Sequence, residues 1–358
     1  MVRYGANKGY WTDFINLYIQ KYGLDRTGAI YRFIDLMKQA GFNHIRQELI
    51  TSDLANEWMK TQSVRAHQIG MTFGLQCYVR HDPWGGESGW QNGLEQAVRQ
   101  ILNIDGEGDA MTNDEVQAVN HYEADTIDIF NEPMGWDWLT EQYNAGAQPW
   151  FAPYVGMSNP TDYYNKYIAW CTKTVAALRA ARRNLLIIID PLPFWDTRPI
   201  SANPIRGADI AYSLHIYYSL GGAYPPTWEQ WARDYWDGKL AAAKSGLYTL
   251  FDTQYHGPLV RAGCRPYMEE LGANWNVPNW QQFMQDIMDY NKQYGFNVHA
   301  FDPYPRSTCG LLNSEWELSS PGGQFVTNYL AGIHPTPLDF TFPRAYQQGT
   351  TANLTLVR

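Results

Sequence analysis

Two acidic residues close runs that read as strands. Glu132 ends Asp128-Ile129-Phe130-Asn131-Glu132-Pro133, and Glu270 sits in Tyr267-Met268-Glu269-Glu270-Leu271-Gly272. A pair of carboxyls meeting in one cleft is what cleavage of a glycosidic bond requires. One protonates the departing oxygen and the other attacks or assists at the anomeric carbon, with the two about 5–5.5 Å apart where the configuration is retained. Because these residues lie far apart along the chain, the fold must bring them together.

Short apolar runs alternate with helix-period segments from end to end, the pattern of repeated βα units around a parallel sheet. Strands are expected near Arg3 to Ala6, then over 42–49, 71–79, 125–130, 185–189, 210–217, 266–270 and 296–301. Between them, Ile30, Phe33, Ile34 and Met37 mark a helix closed by Gly41, and 54–69 and parts of 93–122 read as helical. Asn159 followed by Pro160 is an N-cap and first-turn pair, and Tyr164, Tyr167, Ile168, Cys171, Val175 and Leu178 continue it as one stripe. The segment 228–263 is partly helical, and Trp280, Phe283, Met284 and Ile287 mark a helix ended by Gly295. Eight strands with intervening helices is the count of a (β/α)8 TIM barrel, which commonly exceeds 250 residues as a single domain. A doubly wound open sheet is the competing architecture, but its glycine-rich turn after the first strand is missing. The barrel is expected over 1–334, with 335–358 as a carboxyl-terminal extension, either a packed tail or the start of a linker.

The composition excludes several function classes. With 45% hydrophobic and 18% charged residues, the 358-residue chain can bury a core and is too poor in charge for disorder. A net charge of −9 without a basic cluster argues against nucleic acid. No run approaches the roughly 20 apolar residues of a membrane helix. The 15 Trp, 25 Tyr and 14 Phe include many in apparent loops, where flat rings suit the C–H faces of sugars, although a large barrel also buries many aromatics. Trp84, Trp90, Trp136, Trp138, Trp195 and Trp275 all follow strand ends and read either as sugar platforms or as loop packing. The four cysteines show no metal-binding spacing and read as buried thiols, with a 264–309 disulfide as the lesser alternative. His81-Asp82 has no further ligand at suitable spacing, so no metal is expected.

Asn-Glu-Pro at the fourth strand end and Glu-x-Gly at the seventh resemble clan A glycoside hydrolases, most closely family 5. Phe42-Asn43-His44-Ile45-Arg46 on the second strand, His81 after the third and His215-Ile216-Tyr217 on the sixth agree, in the family's order, and the resemblance spans roughly residues 3 to 330. It implies that Glu132 is the general acid/base and Glu270 the nucleophile. It also implies that Asn131 binds the sugar 2-hydroxyl, Tyr217 hydrogen-bonds the nucleophile, and His215 and His81 orient carboxylates and sugar hydroxyls. Physical reasoning assigns Arg46 to keeping Glu270 ionised, while Glu132, lacking such a partner, would hold its proton. Against these stand plainer readings. Glu269 rivals Glu270, because neighbouring strand residues point to opposite faces; Arg46 caps a barrel layer; His215 is a core histidine. The tryptophan that the family places after the eighth strand is replaced by His299-Ala300-Phe301-Asp302-Pro303-Tyr304, with Tyr304 or Trp316 to take its place.

The resulting expectation is a retaining, endo-acting β-glycosidase on a β-1,4-linked polysaccharide, with a cellulose-like glucan before mannan. An exo-acting enzyme on oligosaccharides and a barrel that binds carbohydrate without cutting it are the alternatives. The resemblance implies no cofactor, a polysaccharide or oligosaccharide as the partner, no nucleic acid and no membrane. A monomer acting outside the cell is expected, with a secretory leader absent from this chain.

Overall fold

A computed structural model describes residues 8–39, 42–49, 57–77, 89–207, 209–294 and 320–333. Six strands form one parallel sheet in sequential order: β1 (His44–Leu49), β2 (Thr72–Cys77), β3 (Thr126–Asp128), β4 (Leu186–Ile189), β5 (Ile210–Tyr218) and β6 (Pro266–Ala273). They correspond to the expected second to seventh strands, and the sheet curls into half a barrel with helices on its convex side. The expected strands near Arg3 to Ala6 and over 296–301, and the segment beyond His334, lie outside the described residues.

Register assigns the faces. His44 pairs with Thr72, Arg46 with Gly74, Gly74 with Thr126 and Gln76 with Asp128, so these residues line the concave side in rising layers. Leu186, Ile188, Ala211 and Tyr267 continue that side as a small apolar cluster of their own. The alternate residues Phe73, Leu75, Ile127, Ile187 and Ile189 join the larger core under the helices. Strands buried on both faces explain the unbroken run Leu185 to Ile189.

The helix Pro160–Ala181 begins as its sequence dictates, with the Asn159 side chain accepting from Asp162 N–H at 2.9 Å. Its buried face runs through Tyr163, Tyr167, Trp170, Cys171, Thr174 and Leu178. That face is rotated slightly from the expected stripe, leaving Tyr164, Ile168 and Val175 half-buried on its flank. The helix Lys8–Tyr22 was not anticipated. Its carboxyl end is held by the Arg32 guanidinium, 3.6 Å from the Tyr22 ring centre.

Gly74 shows how tightly the lower layers fit. His44 is buried and neutral, desolvation lowering its imidazole to about 3, and its Nδ1 lies 2.6 Å from Thr72 Oγ1. A Cβ at position 74 would overlap Thr126 Oγ1 and stand 2.6 Å from His44 Nε2. Gly74→Ala is therefore expected to destabilise the protein by about 1–3 kcal/mol, the usual cost of overpacking, as read from urea unfolding.

Candidate active site

The carboxyl ends of β1 to β6 converge on a small group of ionisable side chains. Glu132 follows β3 in a left-handed backbone conformation, φ 52°, which an ordinary side chain adopts only at a cost of order 1 kcal/mol or more. Its N–H donates to Asp190 Oδ2 at 2.6 Å, so a carboxyl at the end of β4 holds the strained residue in place. The two loops also touch through Phe194 N–H and Pro133 C=O at 3.3 Å. Beside them Asn131 donates its backbone N–H to Cys77 C=O at 2.7 Å. Its side-chain oxygen is buried and has no hydrogen-bond partner among the described residues.

Glu270 reaches the same place from β6. Its Oε1 accepts from Arg46 Nη2 and from Gln76 Nε2, both at 2.8 Å, and its Oε2 accepts from the Tyr217 hydroxyl. His215 stands between the two glutamates, Nδ1 being 3.0 Å from Glu132 Oε1 and 3.6 Å from Glu270 Oε2. Carboxylate oxygens of Glu132 and Glu270 lie within 4.8 Å of each other. Glu132, Glu270, Arg46, His215 and Tyr217 are thus brought together, with Asn131 on the same loop as Glu132. The expectation that Glu132 lacks a charged partner of the kind Arg46 gives Glu270 is corrected, because the His215 imidazole stands 3.0 Å from it.

The rivalry between Glu269 and Glu270 dissolves in the backbone. Leu214 pairs with Met268 but His215 pairs with Glu270, so β6 carries one extra residue, Glu269, at a β-bulge. Alternation fails at that point, and both glutamates face Arg46. Nη1 of Arg46 is 2.8 Å from Glu269 Oε1, at an angle that makes it an ion pair rather than a hydrogen bond. Sequence periodicity does not reveal such an insertion.

Beneath this pair lies a second tier: Gln76, Asp128 and Asp190, which the sequence reading passed over, and Glu269, which it weighed as the rival of Glu270. Asp128, Asp190 and Glu269 are fully buried. Asp128 and Asp190 each carry the signal that marked Glu132, a carboxyl at the end of an apolar strand. Arg46 and His215 face five carboxyls in all, those of Glu132, Glu270, Glu269, Asp190 and Asp128. Burial would raise Glu270, but His215, Arg46, Tyr217 and Gln76 together hold it down at about 2. Burial likewise opposes charge on His215, yet Glu270, Asp190 and Glu132 push it up to about 10. Burial, only partly offset by His215, pushes Asp190 up to about 7, and Asp128 is raised by burial together with Glu269 and Asp190. Burial therefore favours the neutral form of Asp128 and Asp190 while Glu270 stays ionised. Glu132, His215 and Glu270 place ligand-type atoms close together, as do Asp190, His215 and Glu269. Two protein cations already stand where a metal's charge would be needed.

The expected aromatic platforms fare differently. Trp136 is corrected to packing: it lies buried in the helix Trp136–Asn144 against Phe151 and Tyr163, with ring centres at 4.8 and 4.9 Å. Trp275 is likewise buried, 4.6 Å from the Trp280 ring and under Gly322 of the helix Pro321–Ile333. Trp138 and Trp195 are half-buried against the core. His81, Trp84, Tyr304 and Trp316 lie outside the described residues, and the Trp90 side chain is not described either. Phe194, which sequence reasoning did not single out, sets its ring 5.8 Å from that of His215.

No family model and no curated protein matches this sequence. Solved structures do match it. A β-glucanase from Saccharophagus degradans superposes with a TM-score of 0.54 at 14% identity, covering 85% of this chain and 82% of its own. The structural neighbours include a β-glucanase, cellulases and a β-mannanase, one of the cellulases being described as family 5. A thermostable, halotolerant family 5 cellulase from an Icelandic hot spring isolate gives 0.51 at 13% identity over 89% and 87% of the two chains. A β-mannanase from Thermomonospora fusca, solved with mannotriose, gives 0.50 at 15% over 87% and 88%. Among the described residues no helix is long and apolar enough to cross a membrane.

The charge on His215 has a consequence for stability. Its folded value of about 10 lies above the ordinary 6.5. Its contribution is therefore complete below about pH 6.5 and is lost as pH rises through 10. Thermal unfolding of the wild type is expected to move to lower temperature between pH 7 and 10, with a smaller alkaline decline in His215→Gln.

Proposed function

We propose that this protein is a retaining, endo-acting β-glycosidase on a closed (β/α)8 barrel, cleaving a β-1,4-linked polysaccharide. The observation that carries the reading is the approach of the Glu132 and Glu270 carboxylates to within 4.8 Å, with His215 between them. That spacing suits direct attack by a carboxylate and leaves little room for the interposed water of an inverting mechanism.

Glu270, held ionised by Arg46, Gln76, Tyr217 and His215, is the nucleophile and attacks the anomeric carbon. Glu132 gives its proton to the departing glycosidic oxygen, and a covalent glycosyl-enzyme forms. Water then enters on the vacated side, Glu132 removes its proton, and the bond to Glu270 breaks. Asn131, whose side-chain oxygen is buried and unpaired among the described residues, accepts a hydrogen bond from the sugar 2-hydroxyl. The Tyr217 hydroxyl and Arg46 keep the attacking oxygen aimed, and the residues provide the chemistry without a cofactor.

A cellulose-like glucan is the preferred substrate and mannan the second, since neighbours of this fold include both a β-glucanase and a β-mannanase. A polymeric substrate is met outside the cell, so the protein acts there, as a monomer with 1–334 forming the barrel. A second reading, a barrel that binds glycans without cutting them, draws on the missing tryptophan after the eighth strand.

Reducing ends and viscosity should be followed across carboxymethylcellulose, mixed-linkage β-glucan, mannan and xylan. Viscosity is expected to fall well before reducing ends accumulate, and Glu132→Ala to lower turnover of the polymer by about 10³-fold. Ordinary turnover by that variant would remove the mechanism. Binding without any reducing ends from the wild type would favour the second reading.

A further inference from the structure

The role of Asp190 is not exhausted by its place in a charged cluster. It lies at the end of β4, fully buried, and its backbone C=O accepts from the Tyr167 hydroxyl at 2.6 Å, which pins the strand end to the helix Pro160–Ala181. Its Oδ2 accepts the Glu132 N–H at 2.6 Å and lies 3.9 Å from His215 Nε2. It thus touches both the backbone of Glu132 and the imidazole that faces the Glu132 carboxyl. A left-handed conformation at a residue with a side chain persists only where its surroundings impose it. Among the described residues, Asp190 is the acceptor that the Glu132 N–H meets.

We propose that Asp190 is a positioning residue for the acid/base: the hydrogen bond it accepts from Glu132 N–H holds residue 132 in the backbone conformation that presents its carboxyl to His215 and to the scissile bond. The proposal rests on the glycosidase reading and adds a residue that never touches the sugar. The acceptor oxygen is what matters, so the effect of a substitution follows whether that oxygen is kept. Asparagine keeps an oxygen at the same position, whereas alanine loses it.

The role also predicts which substrates suffer. A polysaccharide leaving group needs a proton as the glycosidic bond breaks, whereas 2,4-dinitrophenolate departs without one. A misplaced Glu132 therefore slows formation of the glycosyl-enzyme from the polymer and leaves that step intact for a 2,4-dinitrophenyl glycoside.

The test compares wild type, Asp190→Asn and Asp190→Ala on the polysaccharide and on the 2,4-dinitrophenyl glycoside of the matching disaccharide, with thermal unfolding recorded for each. For Asp190→Ala, kcat/KM on the polymer is expected to fall about 100-fold with KM within about threefold, while kcat/KM on the activated glycoside stays within about threefold. Asp190→Asn is expected to keep polymer kcat/KM within about tenfold of wild type. A folded Asp190→Ala that cleaves the polymer normally overturns the proposal, as does one that loses the same factor on both substrates. If Asp190→Ala does not fold, Asp190→Asn decides alone: a folded variant with a 100-fold loss on the polymer overturns the proposal, and retention within tenfold supports it. A wild-type chain inactive on both substrates defeats the glycosidase reading instead.

Discussion

Everything at the mouth of this sheet depends on two cations surrounded by more acid than they can neutralise. Arg46 and His215 are nearly buried, and each is bound by carboxyls on more than one side. Removing one partner from such an arrangement leaves an uncompensated charge in a poorly solvated place, which is far more costly than the net worth of the pair. The interior therefore settles the excess by favouring the neutral forms of Asp128 and Asp190 and leaving charge nearer to solvent. Glu270, with a side chain 13% exposed, lies on the outward side of that gradient, and Asp128 and Asp190 lie on the inward side.

The fold supplies this gradient through register rather than through loops. Concave-side residues climb from His44 and Thr72 through Arg46 and Gln76 to His215 and Tyr217, and their character changes from neutral and hydrogen-bonded to charged. A barrel interior filled with branched apolar side chains would be more stable. Among the described residues that apolar packing is confined to the cluster of Leu186, Ile188, Ala211 and Tyr267. The cost of the polar upper layers is met by the large aliphatic and aromatic core under the helices, a division of labour between the two faces of one sheet.

How much of this was legible beforehand varies with the kind of signal. The strands were visible because parallel strands covered on both sides must be continuously apolar, and Leu185 to Ile189 is such a run. The helix after Asn159 was visible because capping chemistry is local. Glu132, Glu270, Arg46, His215 and Tyr217, which the structure brings together, were singled out because they lie at strand ends in the order of the family that the sequence resembles. Asp190 carried the same strand-end signal and was passed over. Gln76 was hidden for another reason: a neutral amide inside an apolar strand looks like an imperfection until its partner is known. For Trp136 and Trp275 the packing alternative holds, because proximity to a strand end says nothing about which way a ring turns. Trp136 turned toward Phe151 and Tyr163, where burial was worth more.

The extra residue in β6 has a structural corollary. In a regular strand a charge can join the interior only by displacing an inward neighbour or by inverting everything that follows. The bulge at Glu269 avoids both: Met268 before it and Leu271 after it remain in the outer core, and Gly272 still pairs with Tyr217. Excising that one residue would therefore restore an even ladder without turning the strand over. Position 269 is thus a place where a lineage of such sheets can gain or shed an acidic group in a single step, leaving the surrounding architecture as it was.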